Sequence, residues 1–159
     1  MEVNSPFEVV KLIRSNILRI RTGLWLLPTA SLGQERNEAA RLLVDAVDIR
    51  QKLIQRLPAN SRFIGLTDQK VIELLDEVAE QEGQSDCALV YNLDLLLSHL
   101  KQQEIRYIWQ YVIESMPHRT CALLITMPAL ATDLLPSNEQ MVQLTREKRL
   151  ANTAKNLGG

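Results

Sequence analysis

Residues 87–91 read Cys-Ala-Leu-Val-Tyr and residues 121–126 read Cys-Ala-Leu-Leu-Ile-Thr. Each of these apolar runs comes after a segment with the periodicity of a helix. A strand that is apolar on both faces is typical of a parallel sheet covered by helices on both sides. Residues 24–27, Leu-Trp-Leu-Leu, form a third such run, and residues 62–66 form a shorter one. The sequence therefore predicts a short parallel sheet of about four to five strands.

Helical periodicity fills the segments around these strands. Apolar residues recur at three- and four-residue steps over five segments, 6–20, 35–57, 67–83, 102–116 and from 138 onward. Residues 95–97 and 129–135 are predicted to form short helical turns. An N-terminal helix followed by four strand–helix units predicts a single three-layer α/β domain over 1–159. Its parts are an N-terminal helix (1–21), an α/β core (22–136), and a C-terminal helix with a frayed tail (137–159).

Composition argues against several classes of protein. The chain has 159 residues, and its 18 basic and 19 acidic residues give a net charge of -1. This balance argues against a protein held on nucleic acid or anionic lipid by bulk charge. Two cysteines, Cys87 and Cys121, are too few for a disulfide scaffold and lack metal-ligand spacing. Because there is no signal-peptide layout and no run of about 18 apolar residues, we predict a cytoplasmic protein without a metal or a membrane partner.

The turn after the first strand has the length of a phosphate-binding loop. Residues 28–35 read Pro-Thr-Ala-Ser-Leu-Gly-Gln-Glu, where the nucleotide-binding pattern is G-x-x-x-x-G-K-S/T between a strand and a helix. Gly33 matches the second glycine, but Pro28 replaces the first, Gln34 the lysine, and Glu35 the hydroxyl that binds magnesium. Glu35 puts a negative charge at the helix start, where it stabilises the dipole in place of a phosphate. We therefore expect this loop to bind a triphosphate poorly. The alternative interpretation is that the loop is an ordinary strand-to-helix turn unrelated to phosphate binding.

The end of the third strand departs from the ATPase pattern in the same way. In a working ATPase an aspartate there holds magnesium, and usually a glutamate beside it activates water. Here the two positions are Asn92 and Leu93, and Asp94 follows, where it caps the next turn more plausibly than it binds metal. Thr126 is predicted to end the fourth strand, where a polar residue would reach the γ-phosphate or simply cap the strand beside Pro128.

Six residues thus form a predicted vestigial nucleotide site: Gly33, Gln34, Glu35, Asn92, Asp94 and Thr126.

Three runs carry a resemblance to a known family: CALVYNLDLLL (87–97), EIRYIWQYVIESMPHR (104–119) and TCALLITMPALATDLLP (120–136). Together they resemble the second half of a RecA- or AAA-like P-loop ATPase core. Their spacing is similar to that of the small P-loop proteins of BREX-type phage-defence operons and of STAND-type ATPase domains. The resemblance covers roughly residues 22–136. It implies a fourth strand between the first and third, and a nucleotide-binding ancestor that works in assemblies, but no catalytic residue.

The two ends of the chain are basic and its middle is acidic. Residues 1–21 hold four basic residues against two acidic ones, and residues 137–159 hold the same numbers. Arg146, Lys148 and Arg149 are candidate contacts to a nucleic acid or an acidic partner, although solvated helix faces explain such charges as well. Arg119 follows a turn before the fourth strand and is a candidate for contacting a neighbouring subunit as an arginine finger does.

Two other groups of residues have simpler explanations. Cys87 and Cys121 begin the third and fourth predicted strands, which the topology implied by the resemblance makes neighbours. They are candidates for an oxidative cross-link, but buried thiols that pack as small apolar residues explain them better. His99 with Asp94 and Glu104 suggests acid–base chemistry, yet no nucleophile, metal set or second base joins them in the sequence.

Three functions follow as hypotheses. The first is a catalytically inactive P-loop NTPase-like domain without a cofactor, acting through protein–protein contacts as an accessory or scaffold subunit, in phage defence or another multi-subunit machine. Its partner is another protein or a second copy. The second is a weak nucleotide-binding protein or ATPase that binds ATP at a non-standard site, with Arg36 or a partner's arginine as the cation. The third is a nucleic-acid-binding adaptor using the basic terminal helices. The joint replacement at Gln34, Glu35, Asn92 and Leu93 favours the first.

Overall fold

Five parallel strands form one sheet in the computed structural model, which describes residues 4–57, 65–81 and 85–154. The strands are β1 (Thr22–Leu27), β2 (Asp45–Asp48), β3 (Cys87–Tyr91), β4 (Ala122–Pro128) and β5 (Leu150–Asn152). Their order across the sheet is β2-β3-β4-β1-β5, and all four pairings are parallel. The predicted parallel sheet is confirmed, and β4 lies between β1 and β3, as the resemblance implies.

Helices cover both faces of this sheet. In the described residues they are α1 (Pro6–Arg14), α2 (Glu35–Leu42), α3 (Ile49–Arg56), α4 (Asp68–Glu80), α5 (Leu93–Leu97), α6 (Gln102–Gln110) and α7 (Asn138–Arg146). A π-helical turn (Tyr111–Ser115) extends α6. Leu24 and Leu26 of β1 enter one apolar cluster, and Trp25 and Leu27 enter another on the opposite face. The sheet is therefore the middle of three layers. None of the described helices has the length and apolarity needed to cross a bilayer.

Side-chain caps begin several helices at the predicted places. The Ser5 hydroxyl accepts the Glu8 N–H while the Glu8 carboxylate accepts the Ser5 N–H, which is a capping box at the start of α1. The Thr67 hydroxyl accepts the Lys70 N–H at the start of α4. Ser137 and Gln140 form a second capping box at the start of α7. These local signals are readable in the sequence because they depend on residues three positions apart.

The single helix predicted over residues 35–57 is wrong, because this segment contains α2, β2 and α3. Leu43 takes the left-handed conformation, with φ of 59°, and ends α2. The Asp48 carboxylate accepts two backbone N–H groups of the following turn and begins α3. Between them, β2 is half-buried and lies at the edge of the sheet formed by the described residues, where it pairs with β3. Since β2 buries neither face fully, it lacks the apolar run that identified the central strands.

Other predicted boundaries also shift. The strand predicted over 62–66 lies mostly outside the described residues, and its last two positions, Gly65 and Leu66, form no strand. Helix α1 ends at Arg14 instead of residue 20, and β4 continues past Thr126 to Pro128. The chain after Leu150, predicted to fray, instead forms β5 as far as Asn152, while residues 155–159 lie outside the described part.

A buried arginine joins β5 to β1. Arg149 is 1% exposed; its Nε donates to the Thr22 carbonyl at 2.7 Å and its Nη2 to the Thr22 hydroxyl at 2.6 Å. Its Nη1 donates to the Glu147 carboxylate, and the Thr22 hydroxyl donates to the Val112 carbonyl of the π-helical turn. Burial lowers the pKa of Arg149, and the Glu147 carboxylate opposes that shift. One guanidinium thus connects the two strands and, through Thr22, the helix beneath them.

Replacing this side chain tests its structural role. We expect Arg149→Ala to lower the free energy of unfolding by about 3 kcal/mol, because the Thr22 carbonyl and hydroxyl lose charged donors inside the protein. Urea denaturation followed by circular dichroism measures the change. Arg146→Ala, at the exposed end of α7, is the matched control and should stay within about 0.5 kcal/mol of the parent protein. Equal losses in both variants would contradict the anchoring role.

Candidate functional site

The carboxyl ends of β1, β3 and β4 surround a cleft of about 200 Å³. Ligands of open parallel sheets bind at this edge, where the loops after adjacent strands meet. Its lining residues are Leu27, Leu32, Gly33, Glu35, Asn92, Asp94, Thr126, Met127 and Pro128. Five of the six residues predicted for the vestigial nucleotide site are therefore brought together here. Gln34 does not line the cleft.

The loop after β1 begins with a short 3₁₀ turn (Thr29–Ser31) and leads directly into α2. Gly33 has φ of 90°, a conformation that favours glycine. Gln34 occupies the cap position of α2 without a side-chain cap, and its amide oxygen instead accepts the Asn37 side-chain N–H at 2.8 Å. Gln34 is exposed and its amide oxygen is bonded to Asn37, so this uncharged side chain does not line the cleft.

Glu35 supplies the anion of this loop. Its side chain is buried, and its carboxylate accepts the Gly33 N–H at 2.8 Å. Backbone N–H groups of a phosphate-binding loop cradle phosphate oxygens, but here a carboxylate of the same chain takes the Gly33 group. Glu35 is also the first residue of α2, where a negative charge is stabilised by the helix dipole. The loop is therefore internally satisfied without a phosphate.

The loop after β3 brings an amide and a second carboxylate to the cleft. Asn92 has φ of 68° and begins α5 without a side-chain cap. Asp94 lies in the first turn of α5, half-buried. Burial raises the pKa of the Asp94 carboxyl, while the N–H groups of Asp94 and Leu95 oppose that shift. Burial thus disfavours the ionised form of Asp94, and no lysine or arginine among the residues lining the cleft pairs with it.

Thr126 is held within the sheet. It is buried, and its hydroxyl donates to the Val90 carbonyl of β3 at 3.3 Å. The prediction that Thr126 ends β4 is wrong, because the strand continues for two more residues. Its hydroxyl therefore serves the β3–β4 pair, although the residue still borders the cleft.

The electrostatics of the cleft are negative. Glu35 and Asp94 contribute carboxylates, and the lining contains no lysine or arginine. Arg36, the proposed replacement cation, lies outside the lining, and its Nε donates to the Tyr91 hydroxyl at 3.1 Å. Among the described residues no group of three or more His, Cys, Asp or Glu is arranged to hold a metal ion. The arrangement therefore disfavours phosphates and favours a positively charged group.

The basic residues predicted as partner contacts separate into two kinds. Arg149 is buried and bonded within its own chain, so it cannot contact a partner. Arg146 and Lys148 are exposed at the end of α7. Arg119 pairs with Glu80 of α4 at 2.7 Å and lies before β4, at the opposite edge of the sheet from the cleft. The structure thus leaves only Arg146 and Lys148 of this set available on the surface.

The two cysteines fall outside the site, and of the three acid–base candidates only Asp94 lines it. Cys87 and Cys121 belong to the apolar clusters on opposite faces of the sheet, and both are free thiols. Burial is the main cause that raises the pKa of Cys87 to about 12 and that of Cys121 to about 11. The Glu104 carboxylate accepts the backbone N–H groups of Lys101 and Asp68, which gives it a structural role.

Sequence reasoning missed the apolar rim of the cleft. Leu32 lines the cleft and is 39% exposed, while Leu95 follows Asp94 and is 41% exposed. Leu130 lies two positions after Pro128 and is 79% exposed. Leu95 and Leu130 belong to apolar runs that read as core, whereas Leu32 stands between Ser31 and Gly33 in the loop after β1. The available signal was their position after the strand ends.

Scans against family models, curated proteins and solved structures each return no match for this chain. Function is therefore inferred from the fold and the cleft.

The pKa shift of Asp94 gives a pH-dependent prediction. Because its pKa is raised above 3.8 in the folded protein, the folded state holds this proton more tightly than the unfolded state. The resulting stability is present below pH 3.8 and is lost as the pH rises through the folded-state pKa. We expect Asp94→Asn to raise the melting temperature relative to the parent at pH 7, with the difference shrinking as the pH falls below 4. Calorimetric melts across this range measure it, and a gain that is the same at every pH would contradict the prediction.

Proposed function

We propose that this chain is a P-loop NTPase-like domain that does not turn over nucleotide and acts as an accessory or scaffold subunit through contacts with protein. One observation carries the proposal: the buried Glu35 carboxylate accepts the Gly33 N–H within the loop after β1. A loop built to receive a phosphate would leave that N–H for its ligand. Here the chain supplies its own anion.

Charge and size both argue against a nucleoside triphosphate in the cleft. Phosphates entering it would meet the carboxylates of Glu35 and Asp94, with no lining cation to compensate. The cleft volume of about 200 Å³ is also below the roughly 300–1,000 Å³ of common small-molecule sites. The absence of the lysine of the loop pattern and the presence of the Glu35 carboxylate both weaken the binding of phosphate.

The residues after β3 argue against hydrolysis. The position of the magnesium-binding aspartate is held by Asn92, whose amide carries no charge. The next position, which usually activates water, is Leu93, and its side chain is fully buried. Neither residue can supply a base, so the chemistry of phosphate transfer has no support at this strand end.

The topology supports a P-loop-like origin for the domain. The loop that contains Gly33 connects β1 to α2, and β4 lies between β1 and β3 in the sheet. That is the arrangement implied by the resemblance of residues 22–136. A place in phage defence or another multi-subunit machine is proposed on that resemblance.

Restoring the loop pattern tests this proposal. We expect the parent protein to show no calorimetric or thermal-shift response to ATP, ADP or GTP with magnesium. The double variant Gln34→Lys/Glu35→Thr should gain nucleotide binding, because it adds the missing cation and hydroxyl and frees the Gly33 N–H. At a hundred times its dissociation constant the nucleotide would stabilise the variant by about 2.7 kcal/mol. ATP hydrolysis should remain absent, since Asn92 and Leu93 are unchanged.

A matched control makes the same chemical changes three residues later in α2. Asn37→Lys/Glu38→Thr alters the same net charge on the same helix but outside the loop, and no gain of binding is expected. Saturable, magnesium-dependent ATP binding by the parent protein would overturn the proposal of an inactive site. A restored variant that binds no better than the control would overturn its P-loop character.

A further inference from the structure

We infer that the cleft is the docking site for a second copy of this chain, which inserts basic side chains from the opposite edge of its own sheet. This inference rests on the proposed function, because it names the partner of the site described above. It is carried by two features at the two ends of β1: a cleft lined by the Glu35 and Asp94 side chains, and a group of exposed basic residues.

The acceptor surface is the cleft with its rim, defined by Glu35, Asp94, Leu32, Leu95 and Leu130. It combines two carboxylates with three exposed leucines at the carboxyl edge of the sheet. A nucleotide or a metal ion would leave the rim leucines in water, and Leu130 is 79% exposed. A protein surface that places a cation in the cleft and apolar groups around it satisfies both features.

The donor surface lies at the amino edge of the sheet and is defined by Ile17, Arg19, Arg146 and Lys148. The last three are exposed, and Ile17 is the most exposed large apolar side chain in the described residues, at 81%. Arg146 and Lys148 form no ion pair within the described part of the chain. Two acidic residues lie nearby: Glu114 is exposed, and the Glu147 carboxylate pairs with Arg149. The three exposed basic residues therefore leave basic charge in excess on this surface.

Topology places the two surfaces so that copies can stack. Arg19 lies three residues before β1, and the loop with Glu35 follows the end of β1. Lys148 precedes β5, which is parallel to β1 and pairs with it. Translating one copy along the strand direction therefore brings the basic donor surface to the acidic acceptor surface of the next. Such a head-to-tail contact uses two different patches, so it propagates into a ring or a filament.

Two variants separate the two surfaces. Arg146→Glu/Lys148→Glu reverses the donor surface, and Leu95→Lys/Leu130→Lys makes the acceptor surface less apolar and more basic. Sedimentation velocity at about 100 μM should show the parent protein associating. Association should weaken at least about tenfold between about 50 mM and about 500 mM NaCl, because exposed charges are screened. Each variant alone should sediment as a monomer of 18.1 kDa.

Mixing the variants is the decisive step. Each retains one intact surface, so an equimolar mixture should form a dimer of twice the 18.1 kDa chain mass that cannot grow further. Lys70→Glu/Arg106→Glu, which makes the same charge change at exposed positions of α4 and α6, should associate like the parent. Leu130→Lys alone serves as the acceptor variant if the double variant melts early.

Three results would overturn the inference: a parent protein that stays monomeric in low salt, variants that associate normally, or a mixture that forms no dimer. Magnesium binding by a monomeric parent would likewise assign the cleft to an ion. ATP titration of the same samples separates this inference from the proposed function. A monomer that binds no nucleotide contradicts only the self-docking, whereas ATP binding contradicts the inactive site.

Discussion

The buried guanidinium of Arg149 is the interaction on which the arrangement of the sheet depends. It connects β5 to the start of β1 through the Thr22 carbonyl and hydroxyl, and Thr22 in turn donates to the Val112 carbonyl. A charge so deep in the protein is tolerated because each of its donor nitrogens has an acceptor, including the Glu147 carboxylate. With β5 held at its side, β1 has a parallel partner on both edges, and its carboxyl end is fixed beside that of β4.

At the other end of β1 the chain again satisfies a polar group with its own side chain. The Gly33 N–H, in a loop of the length that receives phosphates, is taken by the Glu35 carboxylate. That contact changes what the carboxyl edge of the sheet can attract, because the cleft gains an anion where a phosphate site needs cations. Together with Asp94 and the exposed rim leucines, it makes a surface suited to a basic, partly apolar protein partner. The cleft thus lies at the edge where ligands of parallel sheets bind, and its lining carries two carboxylates and no lysine or arginine.

The sequence was most informative where burial is complete and least where it is partial. Strands β1, β3 and β4 were predictable because both of their faces are covered, which leaves unbroken apolar runs. Strand β2 was missed because an edge strand needs no such run, and because Leu43 takes a left-handed turn without the usual glycine or asparagine. The meeting of Gly33 with Asn92 was predictable, since all strands of a parallel sheet present their carboxyl ends at the same edge. The burial of Arg149 was not, because it depends on a partner, Thr22, at the far end of the chain.

The most direct test of the account is the backbone amide resonance of Gly33 in a nitrogen–proton correlation spectrum, recorded while ATP and magnesium are added to the parent protein. This resonance should not move, because the Glu35 carboxylate already accepts the hydrogen bond from the Gly33 N–H. A saturable shift at Gly33 would show that a phosphate displaces the carboxylate, and it would contradict the claim that the site is closed to nucleotide.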